Sequence, residues 1–122
     1  MDMDMSEITS EVSVEPSAIA VDLPDDLFVL CHEVLPEAGL VIHRAGHAHA
    51  ACERIAVLLP QLVVVPATMK SSELDLVEDR AIAVGAIVLH LDPDHGYDVL
   101  TAQLEETVRQ VRSRFRGRFQ NV

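Results

Sequence analysis

Four residues able to ligate a borderline-soft metal fall close together in the chain. His43, His47, His49 and Cys52 are spaced H-x3-H-x-H-x2-C, and imidazole with thiolate suits zinc, nickel or copper. His49 and Cys52, three apart, would share a helix face, whereas His47 and His49, two apart, point to different sides. A second group is acidic. Asp22, Asp25, Asp92 and Asp94 carry the hard oxygens that magnesium prefers, and all four also stand where Asp serves in turns and caps. His90 and His95 flank Asp92, a pattern to weigh for acid–base catalysis. No G-x-S-x-G, G-x-G-x-x-G or P-loop pattern occurs. With no nucleophile–base pair in view, neither enzymatic activity nor a cofactor is expected.

Strands and helices must position these groups. Residues 1–17 lack apolar periodicity and are rich in Ser, Thr, Glu and Asp, which reads as a disordered acidic arm. Residues 18–21 form a short apolar run that ends at a turn and read as a buried strand. Pro24 suits a helix start, with Asp25 and Asp26 in the first turn. Leu27, Cys31, Val34, Leu35 and Ala38 recur at helical spacing up to Gly39, and Pro36 disturbs the last turn. Residues 40–43 are a second strand. A helix over about 47–59 would bury Ala48, Cys52, Ile55 and Leu59, and Pro60 stops it. Residues 62–65 are continuously apolar, as a central parallel strand requires. Ser71 or Ser72 can cap a third helix carrying Leu74, Val77, Ala81 and Val84. Residues 86–91 are a fourth strand. A last helix over about 98–115 has Leu100, Leu104, Val108, Val111 and Phe115 on one stripe.

The alternation implies an α/β fold, a doubly wound parallel sheet of flavodoxin-like type with four strands and four helices. Ligands of such sheets bind at the carboxyl ends of the strands. That rim would carry Asp22, Asp25, Arg44, Pro66, Thr68, Asp92 and Asp94. For a strand order beginning 2-1-3, Cys31 and Cys52 would lie on opposite sheet faces, too far apart for a disulfide, and both read as small core residues.

The 122 residues carry 20 acidic and 9 basic side chains, for a net charge of −11. Residues 1–17 hold five acids and no base; residues 109–122 hold five arginines and no acid. An acidic body repels phosphates, so nucleic-acid binding is not expected outside the arginine tail. No apolar run approaches the roughly 20 residues of a membrane span. The first residues lack the cationic and apolar regions of a signal peptide, and a cytoplasmic location is the expectation.

Residues 18–66 resemble the first half of a response-regulator receiver domain. The stretches AIAVDLPDD, LPEAG and LVIHRAGHAHAACERIAVLLPQLVVVP follow its order of strand, helix, strand, helix, strand without a gap. Residues 77–111 resemble its end, with an Ala-rich helix, a strand before the Lys-Pro position and a final helix. The two stretches span roughly two thirds of the chain. The resemblance implies a receiver-like domain over 18–116, one α-β unit short, followed by a flexible basic tail over 117–122. It also implies a degenerate phosphoacceptor pocket of Asp22, Pro66, Thr68, Asp92 and Pro93. Pro66 stands in the place of the phosphoacceptor and Asp92 in that of the lysine. Proline cannot attack phosphorus, and Asp92 would repel a phosphoryl group.

What the resemblance leaves is a phosphorylation-independent signalling module that acts through protein contacts. Leu104, Val108, Arg109, Arg112, Arg114, Phe115 and Arg116 form the expected partner surface, with the end of the last helix projecting past the body. A sheet one unit short would bring residues 62–65 or 86–91 towards an edge, which invites pairing in a homodimer. The alternative is a small-ligand or metal-binding protein that uses the rim or the His43–Cys52 cluster.

Overall fold

The central strands are apolar at nearly every position, so both faces of the sheet must be covered. The computed structural model describes residues 15–120, with side chains through Phe115. Strand β1 is Ser17–Val21, followed by α1 at Asp25–Val34, β2 at Val41–Ala45 and α2 at Ala48–Leu58. Strand β3 is Leu62–Pro66, α3 is Ser71–Ala83, β4 is Ile87–Leu91 and α4 is Tyr97–Gln120. The four strands lie in the order β2-β1-β3-β4, every neighbouring pair parallel. This is the expected four-stranded, doubly wound α/β architecture.

Alternate residues of the strands feed two separate cores. Ala18, Ala20, Leu62 and Val64 pack with Leu27, Leu30, Cys31 and Leu35 around α1, and with Leu100, Leu104, Val108, Val111 and Phe115 of α4. Ile19, Val21, Val63 and Val65 pack with Ala48, Ala51 and Ile55 of α2 and Val77 and Ala81 of α3. All five residues of β1 and all five of β3 are buried.

Several expected boundaries move. Strand β1 begins one residue earlier than expected, at Ser17; residues 1–14, the bulk of the expected acidic arm, lie outside the described residues. Pro36 ends α1 rather than kinking it, and the chain makes a 3₁₀ turn at Pro36–Ala38 before Gly39 turns at φ 91°. Strand β2 ends at Ala45 rather than at His43. Lys70, not Ser71 or Ser72, is the N-cap of α3, and no side chain caps it. The helical backbone of α4 continues to Gln120, through part of the span expected to be a flexible tail.

The face of α2 is also rotated from the expectation. Ala48, Ala51 and Ile55 are buried, Cys52 is half-buried and Leu59 is exposed. Two helices share this face, so Cys52 turns towards α3, its Sγ 3.7 Å from the Leu76 carbonyl oxygen. Leu59 is the C-cap of α2 and takes the left-handed conformation at φ 49°, its N–H donating to the Ile55 carbonyl oxygen.

Both thiols are free, one in each layer. Burial pushes the Cys31 thiol up from 9.0 to about 12. In the folded chain an alkylating reagent is therefore expected to reach Cys52 first, with Cys31 labelled only on denaturation, as read by peptide mass spectrometry. The raised value has a stability consequence. Above pH 9 the unfolded chain releases the Cys31 proton while the folded chain retains it, so stability falls as pH rises towards 12. A C31A variant is expected to show a shallower alkaline decline in urea unfolding.

Candidate functional site

The two central strands lead into helices on opposite faces, α1 after β1 and α3 after β3. Their loops diverge at the carboxyl ends, and a cleft opens where doubly wound folds bind ligands. It has a volume of about 420 Å³. Asp22, Leu23 and Pro24 form one wall; Pro66, Thr68, Met69, Lys70 and Glu73 form the other.

Asp22 is set by local backbone geometry. It sits at φ 52°, a left-handed conformation that Asp tolerates better than most residues. Its N–H donates to the Ala45 carbonyl oxygen at 2.7 Å, which ties the end of β1 to the end of β2. Pro66 is buried and pairs in register with Leu91. It has no N–H, but as the last residue of β3 it interrupts no continuing ladder. The Ala67 N–H donates to the Leu91 carbonyl oxygen at 2.8 Å, and the Pro66 carbonyl accepts from Met69 at 3.1 Å to form the turn into α3.

Of the expected pocket residues, the structure brings together Asp22, Pro66 and Thr68. Asp92 and Pro93 follow β4, one strand farther out, and do not line the cleft. The cleft nevertheless holds a cation. Lys70, the sole lysine of the chain, enters it from the β3–α3 loop. The sequence carries the signal, since every residue between a strand end and the next helix belongs to the rim.

The other chemical clusters do not assemble. Among the described residues no three His, Cys, Asp or Glu side chains converge as a metal site. His47 instead caps α2, its Nδ1 accepting from the Ala50 N–H at 3.2 Å. His43 lies in β2, His49 is exposed on α2, and Cys52 faces α3. The four aspartates also separate. Asp25 accepts from Arg44 at 2.6 Å, and Asp92 accepts the Asp94 N–H at 2.9 Å as a turn residue does. His90 Nε2 lies 3.1 Å from Glu78 Oε2 on α3, and His95 Nε2 lies 3.8 Å from Asp92 Oδ2.

The expected partner surface is narrowed by the fold. Leu104, Val108 and Phe115 are buried against the sheet and α1, so α4 does not project from residue 109 onward. Arg109, Arg112 and Arg114 are exposed, and the side chain of Arg116 lies outside the described residues. Arg109 donates twice to Glu106 Oε1, at 2.7 and 3.2 Å. That hydrogen bond and the arginine charge hold Glu106 below the usual carboxylate range.

One cluster at the rim was not anticipated. Arg44, at the end of β2, lies with its guanidinium carbon 4.3 Å from the Phe28 ring centroid. It also donates to the Leu23 carbonyl oxygen at 3.2 Å and to Asp25. One side chain thus fastens β2 to α1 and to the loop that carries Asp22. An exposed ion pair and a cation–π contact together contribute about 1 kcal/mol. R44A is expected to lower stability by that amount, read as a smaller urea midpoint at unchanged slope.

Compared with known proteins, the sequence matches no family model and no curated protein.

Proposed function

We propose that the chain is a phosphorylation-independent, receiver-like signalling module that acts through protein–protein contacts in the cytoplasm. The observation that carries this reading is Pro66, buried at the end of β3 and facing Asp22 across the cleft. At that point a phosphoryl-accepting site needs a carboxylate nucleophile, and proline offers none. The sheet order and the pairing of α1 with α4 on one face support the receiver resemblance. Arg109, Arg112 and Arg114 are the contact residues, and an acidic protein surface is the complementary partner.

A second copy is the other partner proposed. β3 is interior, and the two edge strands are β2 and β4; of these β4 is the more apolar, with Ile87, Val88 and Leu89 half-buried. An apolar edge of this kind favours pairing. Elution in size-exclusion chromatography is expected to shift with protein concentration; a monomer at every concentration would overturn the dimer.

A second reading is favoured by the cleft itself, which lies within the roughly 300–1,000 Å³ that holds small ligands. Lys70, Thr68, Glu73 and the uncapped start of α3 form one side of it, set against Asp22. One experiment separates the two readings. After incubation with acetyl phosphate and magnesium, mass spectrometry is expected to show no phosphoryl adduct on the chain. An adduct on any carboxylate of the cleft would overturn the module reading. A rise in melting temperature with inorganic phosphate, lost in K70A, would favour the ligand reading instead.

A further inference from the structure

All four strands are parallel, so their starts gather at the end of the sheet opposite the cleft. The residues just before β1, β2 and β3 are Pro16, Leu40 and Gln61. They border a groove with a volume of about 210 Å³. Ala38, in the turn after α1, and Val108, Val111 and Arg112, on the second half of α4, complete its walls. The lining is mainly apolar, because Leu40, Val108 and Val111 belong to the core beneath it.

Charge in the groove has one sign. Arg112 is the sole charged side chain of the lining, and no carboxylate contributes to it. Glu15 and Glu37 adjoin lining residues in the sequence, yet neither lines the groove. Arg109 is committed to Glu106, whereas Arg112 makes no ion pair among the described residues. It is exposed, and its hydrogen bond from Nη2 to the Ala38 carbonyl oxygen is long, at 3.5 Å. A guanidinium carries its donors in a planar fork that matches a carboxylate. Here most of that fork is open beside an apolar hollow.

We propose that this groove binds a small amphipathic acid, its apolar tail against Leu40, Val108 and Val111 and its carboxylate on the Arg112 guanidinium. Volume sets the length of the tail. An apolar cavity of about 150 Å³ holds a benzene. The 210 Å³ here therefore suits a tail of about six to eight carbons. The surround favours a small ligand over a protein. The exposed large apolar residues of α4, Tyr97 and Val99, lie in its first turn, away from the groove, and Arg109 and Arg114 are exposed. An isolated hollow in a polar surface suits a molecule with one apolar and one charged end, rather than an interface of about 800 Å² per partner. Occupancy needs no protein partner, so the site stands or falls apart from the proposed function.

The test titrates the full isotope-labelled chain with octanoate below its micellar range and follows the backbone amides by NMR. Octanoate is expected to shift Leu40, Val111 and Arg112 and to leave Thr68 and Lys70, at the far end of the sheet, in place. Its dissociation constant is expected on the order of a millimolar or tighter. Each methylene added from butanoate to octanoate is expected to tighten binding by about two- to fourfold. Octanol, which has the tail without the charge, is expected to bind several-fold more weakly than octanoate, and R112Q to remove that difference. A38L is expected to fill the groove and abolish binding, the amides of β1 and β3 showing that the fold persists. No shift at millimolar octanoate, shifts centred on Lys70, octanol binding as tightly as octanoate, or an unchanged affinity in either R112Q or A38L would each overturn the proposal. Tighter binding of an acetylated and amidated Asp-Leu-Glu tripeptide than of octanoate would assign the groove to a protein partner and overturn it as well.

Discussion

The burial of β1 and β3 on both faces is the constraint from which the architecture follows. Neither strand has an exposed residue. Full burial of one Val or Leu side chain contributes about 2 kcal/mol, so these two strands require a helical layer above and another below. α1 and α4 supply one layer, α2 and α3 the other. Once the helices following neighbouring strands lie on opposite faces, their loops part at the carboxyl ends. The cleft between Asp22 and Pro66 is thus a geometric result of covering the sheet, and Arg44 keeps one of its walls in place.

Chemistry in that cleft is limited by what stands at the strand ends. The residue delivered to its floor by β3 is an imino acid without a nucleophilic atom. The cation comes from the loop before α3 rather than from the end of β4. At the end of β3 the cleft therefore lacks a group that could form a covalent bond to phosphorus. The carboxylates elsewhere on the rim are engaged in turns and in the Arg44 contact, so they do not concentrate charge for a cation.

Charge is segregated along the chain and then across the fold. In the sequence the first residues carry acids and the last ones arginines; among the described residues, Arg109, Arg112 and Arg114 stand exposed on the last turns of α4. The same helix is divided by its periodicity: Leu104, Val108, Val111 and Phe115 serve the core, while Arg109, Arg112 and Arg114 face water. The accessible side of α4 is therefore mixed near Glu105, Glu106 and Arg109, which pairs with Glu106, and cationic at Arg112 and Arg114.

The sequence alone determined the alternation of strands and helices, the parallel sheet, the apolar stripe of α4 and the absence of a nucleophile at Pro66. These are written in short-range periodicity and residue type, which do not depend on distant neighbours. Tertiary structure decided what converges. Lys70 and Asp22, 48 positions apart, share a cleft because β1 lies beside β3, whereas Asp92 is carried away on the edge strand. His43, His47, His49 and Cys52 are close in sequence, yet one lies in a strand, one caps a helix, one is exposed and one turns to α3. The rotation of a helix about its axis is set by the summed burial of its faces against sheet and neighbour. No spacing read along a single segment contains that sum.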